Sequence, residues 1–186
     1  MEALLISAGV VALAEVGDKT QLLALVLAAK YRRPVPIILG ILAATLLNHA
    51  LAGAVGSALA AAIGPNAMRW ILGVSFIAMA LWTLVPDGSP ETSSQPPRFG
   101  IFGTTLVAFF LLEMGDKTQI ATVALAAKYQ SLLLVTLGTT AGMMLANVPA
   151  VLLGEVAATK LPMKLVHGIA ATIFLIMGLI VLIRGV

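Results

Sequence analysis

Six stretches of this chain, about 3–29, 34–59, 67–86, 99–127, 131–157 and 163–184, are long, mostly apolar and nearly free of charge. A helix crosses the hydrocarbon core of a bilayer with roughly 20 such residues at about 1.5 Å each. Backbone facing lipid must satisfy its own hydrogen bonds, and these Leu/Ala-rich runs lack the alternation of barrel strands. They predict an all-α integral membrane protein with six transmembrane helices. Composition agrees: 60% of the residues are hydrophobic and 10% charged, against about 45–50% and about 25% in soluble domains. Soluble enzymes, disordered regulators and soluble nucleic-acid binders are excluded on that ground. With no Cys, neither disulfides nor thiolate metal sites are available.

Turn chemistry marks the breaks. Tyr31-Arg32-Arg33-Pro34-Val35-Pro36 ends the first span, and Gly64-Pro65-Asn66 separates the second from the third. The polar linker 87–98 divides a first three-helix unit, 1–86, from a second, 99–186. The first span has no basic leader, and Glu15, Asp18 and Lys19 interrupt it, so it is expected to stay rather than be cleaved as a signal peptide. Lys30, Arg32, Arg33, Arg98, Lys160 and Lys164 fall on one side, and Arg69, Lys128 and Arg184 on the other. The richer side is expected to be cytoplasmic, with both termini external, in the inner membrane of a bacterium.

The two units repeat at an offset of 98 residues: Glu15-Val16-Gly17-Asp18-Lys19-Thr20-Gln21 returns as Glu113-Met114-Gly115-Asp116-Lys117-Thr118-Gln119. From 15 to 31, eleven of seventeen positions are identical to their counterparts. Three spans per unit is an odd number, so the second unit enters the membrane from the opposite side. That is an inverted-topology repeat, an arrangement common in secondary transporters.

Glu15 lies about twelve residues, or roughly 18 Å, into its span, near mid-bilayer, and Glu113 is at a matching depth. A charge there costs at least about 2.5–3.5 kcal/mol. Four carboxylates, half of the chain's acids, need partners or a task at that depth. Residues three apart share a helix face, which groups Glu15 with Asp18 and Glu113 with Asp116. Gly17 and Gly115 permit close helix contact or a local break. Meeting near a pseudo-two-fold axis, the four carboxylates form one candidate metal site. Thr20, Gln21, Thr118 and Gln119 are possible additional ligands. With Lys19 and Lys117 the formal charge is −2, which one divalent cation neutralises. Oxygen-rich sites suit Mg, Ca and Mn. Crowded carboxylates that release a metal take up protons, because like charges and desolvation favour the neutral acid. That is a physical route to cation/proton exchange. A structural reading makes Glu15–Lys19 and Glu113–Lys117 ion pairs within their own helices.

The doubled Glu-x-Gly-Asp-Lys-Thr motif resembles the family of bacterial manganese exporters and Golgi manganese/calcium transporters, over essentially the whole chain. The resemblance implies a divalent-cation transporter, most simply an Mn²⁺ exporter with Ca²⁺ also possible, coupled to proton antiport, without a resident cofactor and not an enzyme. It carries the motif roles onto Glu15, Gly17, Asp18, Lys19 and Thr20, and onto Glu113, Gly115, Asp116, Lys117 and Thr118. The implied partners are the cation and the bilayer, with no nucleic acid.

Asn48 and Asn147 are further possible ligands, or interhelical hydrogen-bonding groups. His49 is a possible ligand or proton carrier, or else a packing residue, and His167 is expected at the interface. Trp70 and Trp82 flank the third span as interface anchors. Two rival functions stand beside antiport. One is a passive divalent-cation channel. The other is an intramembrane aspartyl protease, whose Gly-x-Gly-Asp and Tyr-Asp patterns this chain does not reproduce.

Overall fold

The computed structural model describes residues 1–85, 99–153 and 163–185. The described residues form eight α-helices and no strand: α1 (Glu2–Glu15), α2 (Lys19–Tyr31), α3 (Pro34–Ala62), α4 (Pro65–Thr83), α5 (Gly100–Glu113), α6 (Lys117–Tyr129), α7 (Leu132–Leu153) and α8 (Met163–Arg184). The all-helical expectation is met. The polar linker 87–98, and with it Arg98, lies outside the described residues, as does Lys160.

Four of the expected segments are continuous helices, α3, α4, α7 and α8. The first and fourth are each broken in two, at the repeated motif. Gly17 and Gly115 have φ of 80° and 76°, a left-handed conformation that ends a helix and that a Cβ would strain. Asp18 and Asp116 then run extended, with ψ of 166° and 164°, before the next helix starts. The turn is closed by the Asp18 N–H donating to the Glu15 carbonyl at 3.0 Å and the Asp116 N–H to that of Glu113 at 3.1 Å. Pro34 and Pro65 stand at the first positions of α3 and α4, where no backbone donor is needed.

The duplication extends to the helix boundaries. Glu2, Lys19, Pro34 and Pro65 start helices in the first unit, and Gly100, Lys117, Leu132 and Met163, each 98 residues on, start them in the second. Packing is reciprocal as well. α1 lies on α7 as α5 lies on α3, and α2 meets α7 as α6 meets α3. Gly40 of α3 admits Phe102 and Thr105 of α5, while Gly138 of α7 admits Leu4 and Ser7 of α1, the same contact one repeat apart. Phe76 of α4 and Phe174 of α8, themselves repeat mates, stack with centroids 6.4 Å apart.

Among the described residues, α3, α7 and His167–Arg184 of α8 are long and apolar enough to cross a membrane. Apolar side chains such as Leu47, Leu51, Val55, Leu145 and Ile183 are turned outward, which a water-facing surface would not sustain in such density.

Candidate cation site

Both motif breaks are built alike. Gln21, on the first turn of α2, turns its Oε1 back to accept the Gly17 N–H at 2.8 Å, and Gln119 accepts the Gly115 N–H at 2.7 Å. Each amide then reaches across to the other unit. The Gln21 Nε2 donates to the Ala146 carbonyl at 3.0 Å, and the Gln119 Nε2 to the Asn48 Oδ1 at 3.2 Å. Ala146 and Asn48 are repeat mates, so the two bonds are one contact in two contexts. Both glutamines brace the break, with their oxygens already engaged.

Asp18 and Asp116 occupy the residue before a helix, yet neither side chain caps it. They are drawn instead into ion pairs between the units: Lys117 Nζ to Asp18 Oδ1 at 2.6 Å, and Lys19 Nζ to Asp116 Oδ1 at 3.0 Å. These pairs run between the motifs, unlike the intrahelical Glu–Lys pairs considered from the sequence. The break removes the helical register on which an i,i+4 pair depends, and the lysines reach the opposite aspartates. The two clasps differ in exposure, with the Lys117 side chain 1% and the Lys19 side chain 24% accessible.

Glu15 and Glu113, the last residues of α1 and α5, are fully buried. Glu15 feels the charges of Glu113, Asp18 and Asp116, and Glu113 those of Asp116, Asp18 and Lys19. The four acids of the two motifs thus share one neighbourhood. Among the described residues, however, no three acidic or histidine side chains are close enough together to wrap an ion. The ammonium groups hold both aspartates. Thr118 Oγ1 donates to Glu113 Oε2 at 2.9 Å, and Thr20 Oγ1 to Asp18 Oδ2 at 3.5 Å. Asn147 Nδ2 donates to Glu15 Oε1 at 3.3 Å. Glu15 Oε2, Glu113 Oε1, Asp116 Oδ2 and Asn147 Oδ1 are buried oxygens without a hydrogen-bond partner among the described residues. Such atoms are costly unless something visits them.

The two asparagines differ in use. Asn48 spends both ends of its amide, accepting from Gln119 and donating to the Phe110 carbonyl at 3.0 Å. Asn147 touches a site carboxylate and keeps its oxygen open. His49 is the repeat mate of Asn147, and both its buried ring nitrogens lack partners among the described residues. His167, expected at the interface, sets its Nε2 3.0 Å from the Val16 carbonyl, inside the first motif break. The spacing of a lone His at a helix start carries no such signal. Only the position of Val16 beside Glu15 gives it meaning.

Residues 3–91 and 101–186 match the family described as "Divalent cation/proton antiporter GDT1". The chain belongs to that family. Among relatives of this GDT1 chain, a Vibrio cholerae protein named "Putative manganese exporter" is 51% identical over 180 residues, covering 96% of this chain and 90% of its own. A "GDT1-like protein" of Schizosaccharomyces pombe is 34% identical over 76 residues, covering 41% of this chain and 29% of its own. No solved structure matches.

Proposed function

We propose that this GDT1-family chain exports Mn²⁺, with Ca²⁺ a possible second cargo, across a bacterial inner membrane in exchange for protons. In this reading the chain crosses the bilayer six times as two inverted three-helix repeats, 1–86 and 99–186, joined by the linker 87–98. α1–α2 and α5–α6 are broken spans, which is how carriers of this architecture commonly build a mid-membrane ion site. The cargo is held by Glu15, Asp18, Glu113 and Asp116, with Asn147 Oδ1 as the readiest additional oxygen. The observation that carries the reading is the reciprocal pair Lys19–Asp116 and Lys117–Asp18. It joins both motifs into one buried constellation that neither unit has alone.

The lysines give the site its exchange chemistry. Without cargo, two ammonium groups neutralise the aspartates, and the buried negative charge stays low. A divalent ion must draw the aspartate oxygens off the ammonium groups, and with both lysines still beside it the site's net charge of −2 is met by the cargo. When it leaves, ammonium groups and protons restore neutrality. A site that is never left as a bare buried anion exchanges one cation for others rather than leaking.

The test is Mn²⁺ uptake by proteoliposomes under an imposed pH gradient. Antiport requires the flux to rise with the gradient and to carry protons the other way. Flux indifferent to the gradient would instead favour a passive channel.

A further inference from the structure

The repeat relation holds inside each part of the molecule, but one pair of helices breaks it. α4 and α8 pack together through the stacked repeat mates Phe76 and Phe174. This pair sits to one side, α4 against α6 and α8 against α1. There it shares a buried apolar cluster that includes Val10, Leu72, Ala124 and Val181. The other buried cluster, formed from α2, α3, α5 and α7, includes no residue of α4 or α8 among those described.

Among the described residues, neither α4 nor α8 covers the repeat image of this face. On α6, Ile120, Val123, Ala124 and Ala127 line a cavity with Met68 and Leu72 of α4. Their mates on α2, Leu22, Leu25, Val26 and Ala29, line an open groove beside the end of α7. Ala124 is 3% exposed and its mate Val26 is 38% exposed. The motif backbones are treated as unequally. His167 meets the Val16 carbonyl of the first break, whereas Met114, the mate of Val16, is 58% exposed. Arg69, the mate of His167, keeps a buried Nε without a partner among the described residues.

We infer that the α4–α8 pair is the moving part of the carrier, docking alternately over the two motifs, with His167 and Arg69 as the residues that meet each break. In the arrangement seen, the pair covers α1 and α6. In the opposite one it covers α5 and α2, the groove on α2 closes, and Arg69 donates to the Met114 carbonyl as His167 does to that of Val16. Because α4 and α8 are repeat mates, the pair offers related faces to related seats. In lipid, contacts between helices rest on packing rather than on water exclusion. Exchanging one seat for its image therefore changes the free energy little, which a carrier alternating between two states requires. This inference rests on the transport reading above.

The native chain has no Cys, so disulfide trapping in proteoliposomes reads the motion directly. Leu72→Cys/Ala124→Cys traps the arrangement seen, and Val26→Cys/Ala170→Cys, the same pair one repeat away, traps its image. Both pairs are expected to cross-link in membrane-embedded protein. Either bond should stop Mn²⁺ flux, and reductant should restore it. Adding His167→Ala should speed the Val26/Ala170 bond relative to the other by about three- to tenfold, the population shift carried by one hydrogen bond. Flux that persists with the Leu72/Ala124 bond closed overturns the inference. So does a Val26/Ala170 pair that never bonds while both thiols react with maleimide. Variants that form both bonds yet move no Mn²⁺ before oxidation support the exchange of seats and sink the transport reading instead.

Discussion

Lys117 is buried almost completely, and its ammonium is paired with Asp18 in the motif of the other unit. A buried charge that loses its partner is strongly unfavourable, so whatever replaces Lys117 at Asp18 must itself be cationic. If the lysines compete with the cargo, Lys117→Gln leaves Asp18 open to the metal. Mn²⁺ should then bind several-fold more tightly and leave more slowly, with transport falling as binding rises. Lys19→Gln should do the same more weakly, because solvent already screens that pair. Calorimetry on detergent-purified protein, alongside flux measurements, checks both arms. Loss of binding at normal membrane abundance would mean that the lysines organise the site rather than compete for it.

The two broken helices depend on one glycine each. Gly115 has φ of 76°, and a Cβ added there meets no atom within 4 Å, so the cost of Gly115→Ala is conformational alone. It should lower stability by about 1–2 kcal/mol, read as a lower melting midpoint in detergent. Gly115→Asn should cost less, because Asn tolerates the left-handed region. Equal losses from both would point away from the backbone. The break itself was not legible beforehand. A glycine within a long apolar run reads as helix or as interruption alike, and only the extended Asp116 that follows decides between them. Uninterrupted helices also invited the intrahelical ion pairs. Once the chain turns at residues 16–18 and 114–116, the lysines leave the register that would have paired them with their own glutamates. By contrast, the outer limits of the helical segments and the 98-residue offset followed from the sequence. The apolar runs, the Pro and Gly punctuation and the doubled acids each have a direct physical reading.

Among the described residues, the helix-on-helix packing of the two repeats is reciprocal except at α4 and α8. Sequence alone conveys the kinship of the units. It cannot say which of two equivalent seats is filled, since both are encoded by similar residues. The proposed topology rests on the inverted repeat and the basic-residue bias read from the sequence. Reporters fused within the linker 87–98 should be cytoplasmic, and those after Val186 external. The opposite pattern would reverse the orientation and leave the repeat intact.

The central claim is that Glu15, Asp18, Glu113 and Asp116 act as one site. Their neighbourhood is shared across the units through the Lys19 and Lys117 clasps, and groups acting as a unit give strongly non-additive losses. Each acid removed takes away a ligand and part of the charge that offsets desolvation of the cargo. The decisive measurement is the stoichiometry and affinity of bound Mn²⁺ in Glu15→Gln, Asp18→Asn, Glu113→Gln and Asp116→Asn, each purified at normal abundance. A shared site predicts one ion per chain in the native protein and severe loss in every single variant. A variant that keeps half of the metal at unchanged affinity would mean two independent sites, and would contradict the account.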